Sequence, residues 1–247
     1  MGEMKYLEEL RKRWWTRVVE NDLQSRKVLV EMKTLKPEEA IGHPARREYP
    51  LLKGREVMIQ AEIDGAVGQA FTDEPTTFEG TLEELKRLDI QKNSERALLV
   101  AGINATYKLL GLIEGTRHCR DDGPEQCARK ISDYLYQQYG DSKICMIGFQ
   151  PAILHHLSEK FHDLRTTDMD EENIGREYYG IVIEPYTRNS EVIRWADVVL
   201  ATGSTLVNNT IGEILNSAQD KTVYFYGVTI AAFSYEFNLK RLCFNSL

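Results

Sequence analysis

The sequence predicts an α/β protein whose second half is a Rossmann-like parallel sheet, preceded by an α+β unit built on an antiparallel sheet. Three observations predict it. From Lys143 onward, short apolar runs at 144–148, 163–167, 181–184, 198–201 and 223–226 alternate with helical stretches, the rhythm of parallel strands joined by crossovers. Upstream, residues 56–72 hold two apolar-rich runs separated by Asp64-Gly65, a two-residue hairpin signal that makes the early sheet antiparallel. Between the two patterns, Pro124 suits a first helical position and Gly140 a helix stop, so a helix over 124–139 marks the junction, and the chain divides into domains 1–123 and 124–247.

The remaining elements follow in order. Leu7, Leu10, Trp14 and Val18 recur at spacings of three and four, which predicts an amphipathic helix over 6–24. Residues 28–35 read as a strand. Thr81 with Glu84 three residues later is a capping box that starts a short helix through Leu88, and a longer helix follows over 94–110. No internal repeat links the two halves.

Composition bounds the function. A chain of 247 residues with 42% hydrophobic and 28% charged residues folds throughout, and a net charge of -7 argues against a nucleic-acid partner. Residues 1–10 lack the uninterrupted apolar core of a signal peptide, and no stretch approaches transmembrane length, so no membrane partner is expected. Four cysteines without paired spacing suit a reducing cytoplasm. The aromatic set Trp14, Trp15, Phe233, Tyr235, Phe237 and Phe244 is large for one subunit, which raises a homo-oligomer as a possibility beside ordinary core packing.

In a doubly wound sheet the ligand crevice lies outside the carboxyl ends of the strands. That rule selects Gly148, Asp168, Glu184, the run Thr202-Gly203-Ser204-Thr205 with Asn208, and the turn after Tyr226. The 201–209 run suits an anion, because Gly203 admits close backbone approach while the hydroxyls and helix amides donate; an ordinary strand-to-helix turn explains it equally. Gly148 and Asp168 have the separation of a turn glycine and a ribose-binding acid, but Gly148-Phe149-Gln150-Pro151 lacks the further glycines a pyrophosphate needs. A turn glycine and a solvated aspartate is the plainer reading. Glu184, ending a buried strand just before Pro185, is the candidate general base or metal-binding carboxylate.

Soft metal ligands concentrate elsewhere. His118, Cys119 and Asp121 offer imidazole, thiol and carboxylate for a transition metal, with Cys127 on the next helix, yet no second CxxC or HxxxH completes the pattern. By spacing alone Cys127 faces a core beside Ile131 and Tyr134, and Cys145 is an inert strand residue.

Taken together, residues 68–72 (Gly-Gln-Ala-Phe-Thr), Asn104 in a small-residue helix, residues 148–151 and the run Ala-Thr-Gly-Ser-Thr-Leu-Val-Asn at 201–208 resemble the putative heavy-metal-chelation family of unknown-function proteins. The resemblance implies an enolase-like N-terminal domain on a Rossmann-like one, with a site between them that Thr72 and Asn104 face from the first domain. It also strengthens the metal reading of His118, Cys119 and Asp121. The expected function is binding of a metal, of no specified identity, or of a metal-containing small ligand in the interdomain cleft. A nucleotide- or S-adenosylmethionine-dependent enzyme and a non-catalytic interaction protein are the alternatives.

Overall fold

The structure, a computed structural model, describes residues 4–31, 41–44, 46, 49, 57–74 and 76–247. It opens with α1 (Lys5–Glu20), which buries Leu7, Leu10, Trp14 and Val18, the four residues of the expected apolar stripe. The smaller sheet is antiparallel, in the order β3-β2-β1-β4, from β1 (Lys27–Glu31), β2 (Val57–Ile63), β3 (Ala66–Thr72) and β4 (Phe78–Thr81). Positions 32–35 and 56 of the predicted strands lie outside the described residues. The hairpin between β2 and β3 turns on Asp64 and Gly65, whose φ angles of 49° and 80° are the positive values that Asp-Gly turns supply.

Thr81 closes β4 and caps α2 (Leu82–Lys86): its side chain accepts from the Glu84 amide while Glu84 reaches back to the Thr81 amide. Next comes α3 (Asn93–Leu109), buried along most of its length. Its approach to β3 is close, because a Cβ on Gly68 would sit 2.2 Å from the Ala105 nitrogen. Only glycine admits that packing.

After α4 (Gly123–Tyr139), ended by Gly140 at φ +61°, the larger sheet begins. It contains β5 (Ile144–Ile147), β6 (Leu164–Asp168), β7 (Glu177–Tyr178), β8 (Ile181–Pro185), β9 (Val198–Thr202), β10 (Thr222–Tyr226) and β11 (Lys240–Arg241). Their order is β11-β10-β9-β5-β6-β8-β7, parallel except for the β7 edge. All five predicted strands are present and parallel; the two short edge strands carry too few residues to show a pattern. From β5 the chain steps outward to β6 and β8, then returns to lay β9 against the other side of β5. A ligand crevice belongs at that reversal. The intervening helices are α5 (Pro151–Ser158), α6 (Asn189–Trp195), α7 (Ser204–Val207), α8 (Ile211–Ser217) and α9 (Ala231–Glu236).

Asn104 on α3 ties the two sheets together. Its amide donates to the carbonyls of Gln69, Val228 and Thr229 at 3.1, 3.2 and 3.2 Å, and its oxygen accepts from the Ala232 amide at 2.9 Å. Its two N–H groups are shared among the three carbonyls and its oxygen is engaged, so the residue is a satisfied brace rather than a wall of an open site. Trp14 and Phe233 are fully buried, and Trp15 and Phe237 pack against the same core, leaving Tyr235 and Phe244 about half exposed. Among the described residues, no helix is long and apolar enough to cross a membrane.

Candidate functional site

At the reversal between β5 and β9 lies a cavity of about 490 Å³, roofed by the first unit through Phe71, Thr72 and His118. Of the predicted site residues, Thr72, Gly148, Asp168, Thr202, Gly203, Ser204, Thr205, Asn208, His118 and Cys119 all line it. Asn104, Asp121 and Glu184 do not.

The floor is made by strand ends. Gly148 adopts φ +88°, and a Cβ there would lie 2.5 Å from Thr202 Cγ2, so the turn is glycine for both reasons. Asp168 accepts from the Phe149 amide at 2.5 Å and from the Asp170 amide at 2.7 Å. Burial raises its pKa against those bonds. The amide of the first turn is therefore already turned onto a carboxylate, which removes the donor a pyrophosphate would use.

The 202–208 run is likewise satisfied from within. Thr202 Oγ1 lies 2.8 Å from Ser204 Oγ, Thr205 Oγ1 donates to the Thr202 carbonyl at 2.7 Å, and α7 is a four-residue turn with little dipole to offer an anion. Across the cavity mouth Thr72 Oγ1 donates to Asn93 Oδ1 at 2.9 Å, and Asn93 donates to Asn208 Oδ1 at 3.2 Å. These bonds join β3, α3 and α7 over the cleft.

Charge decides which ligand suits the space. Its lining includes Asp73, Asp168 and Asp170, and among the described residues no lysine or arginine. An anion would meet like charge there; a cation would not. The anion expectation for the 201–209 run is not supported by this wall.

Soft donors sit on the opposite flank. His118 presses its ring edge-on against Phe71 with centroids 5.5 Å apart. Its Nδ1 is shielded from solvent and has no hydrogen-bond partner among the described residues. Burial depresses its pKa to about 4, keeping the imidazole neutral and able to donate an electron pair. Cys119 is buried, and that burial pushes its thiol up to about 12. Two further cysteines join it on the lining: Cys127, read from its spacing as a core residue, and Cys243. The Cys127 and Cys243 thiols lie close enough to perturb each other, which raises the pKa of the first and, with the Arg241 charge nearby, lowers that of the second. Nothing local marks Cys243, since the sequence places it 124 positions from Cys119.

Three placements differ from expectation. Asp121 turns away to accept from the His43 amide at 3.0 Å, while its own amide donates to the Ile41 carbonyl at 2.7 Å. Its φ of +54° serves that tight turn. Glu184 lies level with Thr167 in the β6–β8 register, so Pro185 rather than Glu184 stands beside Asp168 at the rim. Its carboxylate is held by Arg165 at 2.7 Å through two bonds and by Arg188 at 2.6 Å, in a separate shallow hollow. Asn104 is the inter-sheet brace described above.

One other cluster has metal-ligand chemistry. Glu125, His155 and His156 each offer an atom within 4.8 Å of the others. Yet Arg46 donates to both Glu125 oxygens at 2.7 and 2.8 Å and lies 2.7 Å from His155 Nδ1, while His156 bridges Glu125 at 2.8 Å and Glu159 at 3.0 Å. The guanidinium fills the position a cation would take, and it holds the Glu125 carboxyl down to about 2.

Comparison with known proteins agrees with this fold. Residues 131–238 match the model of the DUF364 family, described as "Putative heavy-metal chelation". The resemblance read from residues 201–208 is thereby borne out over that region. A DUF364-family protein of unknown function from Pyrococcus horikoshii is similar in structure, with 19% identity and a TM-score of 0.57 over 91% of this chain and 79% of its own. Another, from Desulfitobacterium hafniense DCB-2, has 15% identity and a TM-score of 0.53 over 74% of this chain and 73% of its own. At these identities the likeness shows the fold. No curated protein gives a significant match.

Proposed function

We propose that the chain binds a metal cation, or a small ligand carrying one, in the cavity between the two sheets. The observation that carries this reading is the make-up of the wall: three carboxylates, an unpartnered neutral imidazole nitrogen and three thiols, with no basic side chain among the described lining residues. Carboxylate, imidazole and thiol are the donor types proteins use for divalent metals. The family description points the same way over residues 131–238. His118 and Cys119 are the donors retained from the sequence; Asp121 is replaced in this role by residues the fold brings in.

A nucleotide ligand is disfavoured by the same wall. The Phe149 amide is engaged by Asp168, and no cation waits for a phosphate. Glu184, held between two arginines, has no role in the proposed binding.

Metal content of protein purified without an affinity tag, together with its melting temperature on titrating Zn(II), Ni(II), Co(II) and Cd(II), tests the proposal. A cation binding only the folded state at 100 times its Kd adds about 2.7 kcal/mol of stability. Asp168→Asn with Asp170→Asn weakens that gain. The absence of any bound metal and of any melting shift across the series would overturn it.

A further inference from the structure

The cavity has two chemically different ends. Asp168 and Asp170 follow β6, whereas Gly227 follows β10 and Cys243 comes two residues after β11, the strand paired with β10. In the order β10-β9-β5-β6 those ends are three inter-strand steps apart, about 14 Å. One cation cannot span that distance. A hard oxygen-rich end and a soft sulfur-rich end must therefore be considered separately.

Three independent ties assemble the soft end. Arg117 and Leu247 exchange backbone bonds of 2.8 and 2.9 Å, which lays the segment carrying Cys243 along the segment carrying Cys119. Arg241 reinforces this by donating to the carbonyls of Gly115 and Glu114 at 2.9 and 2.8 Å. Asn245 then links the same segment to α4, donating to Gln126 at 3.1 Å and accepting from Lys130 at 2.8 Å, beside Cys127. Gly123 leaves room for Cys119 against the start of α4, since a Cβ there would lie 2.8 Å from Cys119 Cβ.

We propose that Cys119, Cys127 and Cys243, with His118, form a site for a thiophilic cation of the Zn(II) and Cd(II) class at this end of the cavity. The inference rests on the metal reading of the cavity and specifies its ligand. Three cysteines and a histidine make a four-donor set that such cations accept in tetrahedral geometry. His118 Nδ1 is an independent sign of a ligand: of the buried side-chain polar atoms left unpartnered among the described residues, it alone belongs to a residue of the cavity lining. Arg241, packed behind the cluster, offsets the charge that deprotonated thiols would bring. No three of these four donors lie within 4.8 Å of one another, so closure on a cation requires rotation of cysteine or histidine side chains. All four donors lie outside residues 131–238, so the family match does not supply them.

The test is titration of the reduced full chain with Cd(II), read by the ultraviolet sulfur-to-cadmium charge-transfer band and by melting temperature. One equivalent is expected to give the band, with proton release as thiols ionise. Cys243→Ser and Cys127→Ser should each cut the band by about a third and weaken affinity at least ~10-fold, while Glu184→Gln, outside the cavity, leaves the band unchanged. A band of unaltered intensity in both cysteine variants would overturn the proposal, as would no band at all. A Cd(II) melting shift without a band, abolished by Asp168→Asn, would overturn the thiol site yet leave the cation reading of the cavity standing. Retained circular dichroism of each variant separates lost binding from lost fold.

Discussion

Two groups of metal-ligating side chains can be set side by side. Glu125, His155 and His156 are close-set, with ligand atoms within 4.8 Å, whereas the thiol group with His118 is looser. Proximity alone would choose the first. Yet every member of the first is already paired with Arg46 or with another member, so a cation would have to displace an arginine and break a network. His118, in contrast, belongs to the cavity lining and has a buried Nδ1 with no hydrogen-bond partner among the described residues. An unsatisfied buried atom in a cavity-lining residue, rather than crowding of ligand types, distinguishes a candidate site for a ligand from a structural ion pair.

That comparison breaks or sharpens with substitutions. The largest effect should come from a fully satisfied group: Asn104→Ala deletes both shared side-chain donors and the one acceptor, leaving three carbonyls and an amide with fewer partners. A loss of ~2–4 kcal/mol is expected in urea unfolding. An unchanged midpoint would mean that the seam between the sheets does not depend on this brace.

Next in size is the Glu125 network. Its carboxyl is lowered from 4.5 to about 2 by the Arg46 bond, so between those values the folded chain binds fewer protons than the unfolded chain. Its stabilisation is complete above the ordinary carboxylate range and is lost as pH falls toward 2. Arg46→Met should flatten most of that slope, with His156 holding the remainder, measured by unfolding at about pH 5 and about pH 3. An identical slope in the variant would show that the acid loss arises elsewhere.

The smallest effect on the metal-free protein belongs to the unsatisfied group. His118→Phe keeps a ring against Phe71 and deletes an unpartnered nitrogen, so stability should change by less than ~1 kcal/mol, or rise. The cation-dependent melting shift should shrink in the same variant. A large loss of metal-free stability would place His118 with the structural groups.

Much of the frame was legible before the structure. The five parallel strands were readable because buried strands of a doubly wound sheet are short continuous apolar runs, and their carboxyl ends then located Gly148, Asp168 and Thr202 on one rim. The capping box at Thr81 and the Asp64-Gly65 turn were legible because their chemistry is local. What escaped was non-local. Asp121 and Glu184 have the right chemistry, but a one-residue register and a turn direction send them elsewhere, and neither is written in spacing. Cys127 reads as core by its helical spacing and does contact the core, while also reaching the cavity. Cys243 is brought toward Cys119 by the Arg117–Leu247 pairing and the Arg241 bonds, contacts that no window of local sequence encodes.

The most direct measurement is the position of anomalous scattering from crystals of the reduced protein soaked in Cd(II). The account predicts a peak inside the cavity, within bonding distance of cysteine sulfur and His118 and remote from Arg46. Occupancy confined to Glu125, His155 and His156, with the cavity empty, would contradict it.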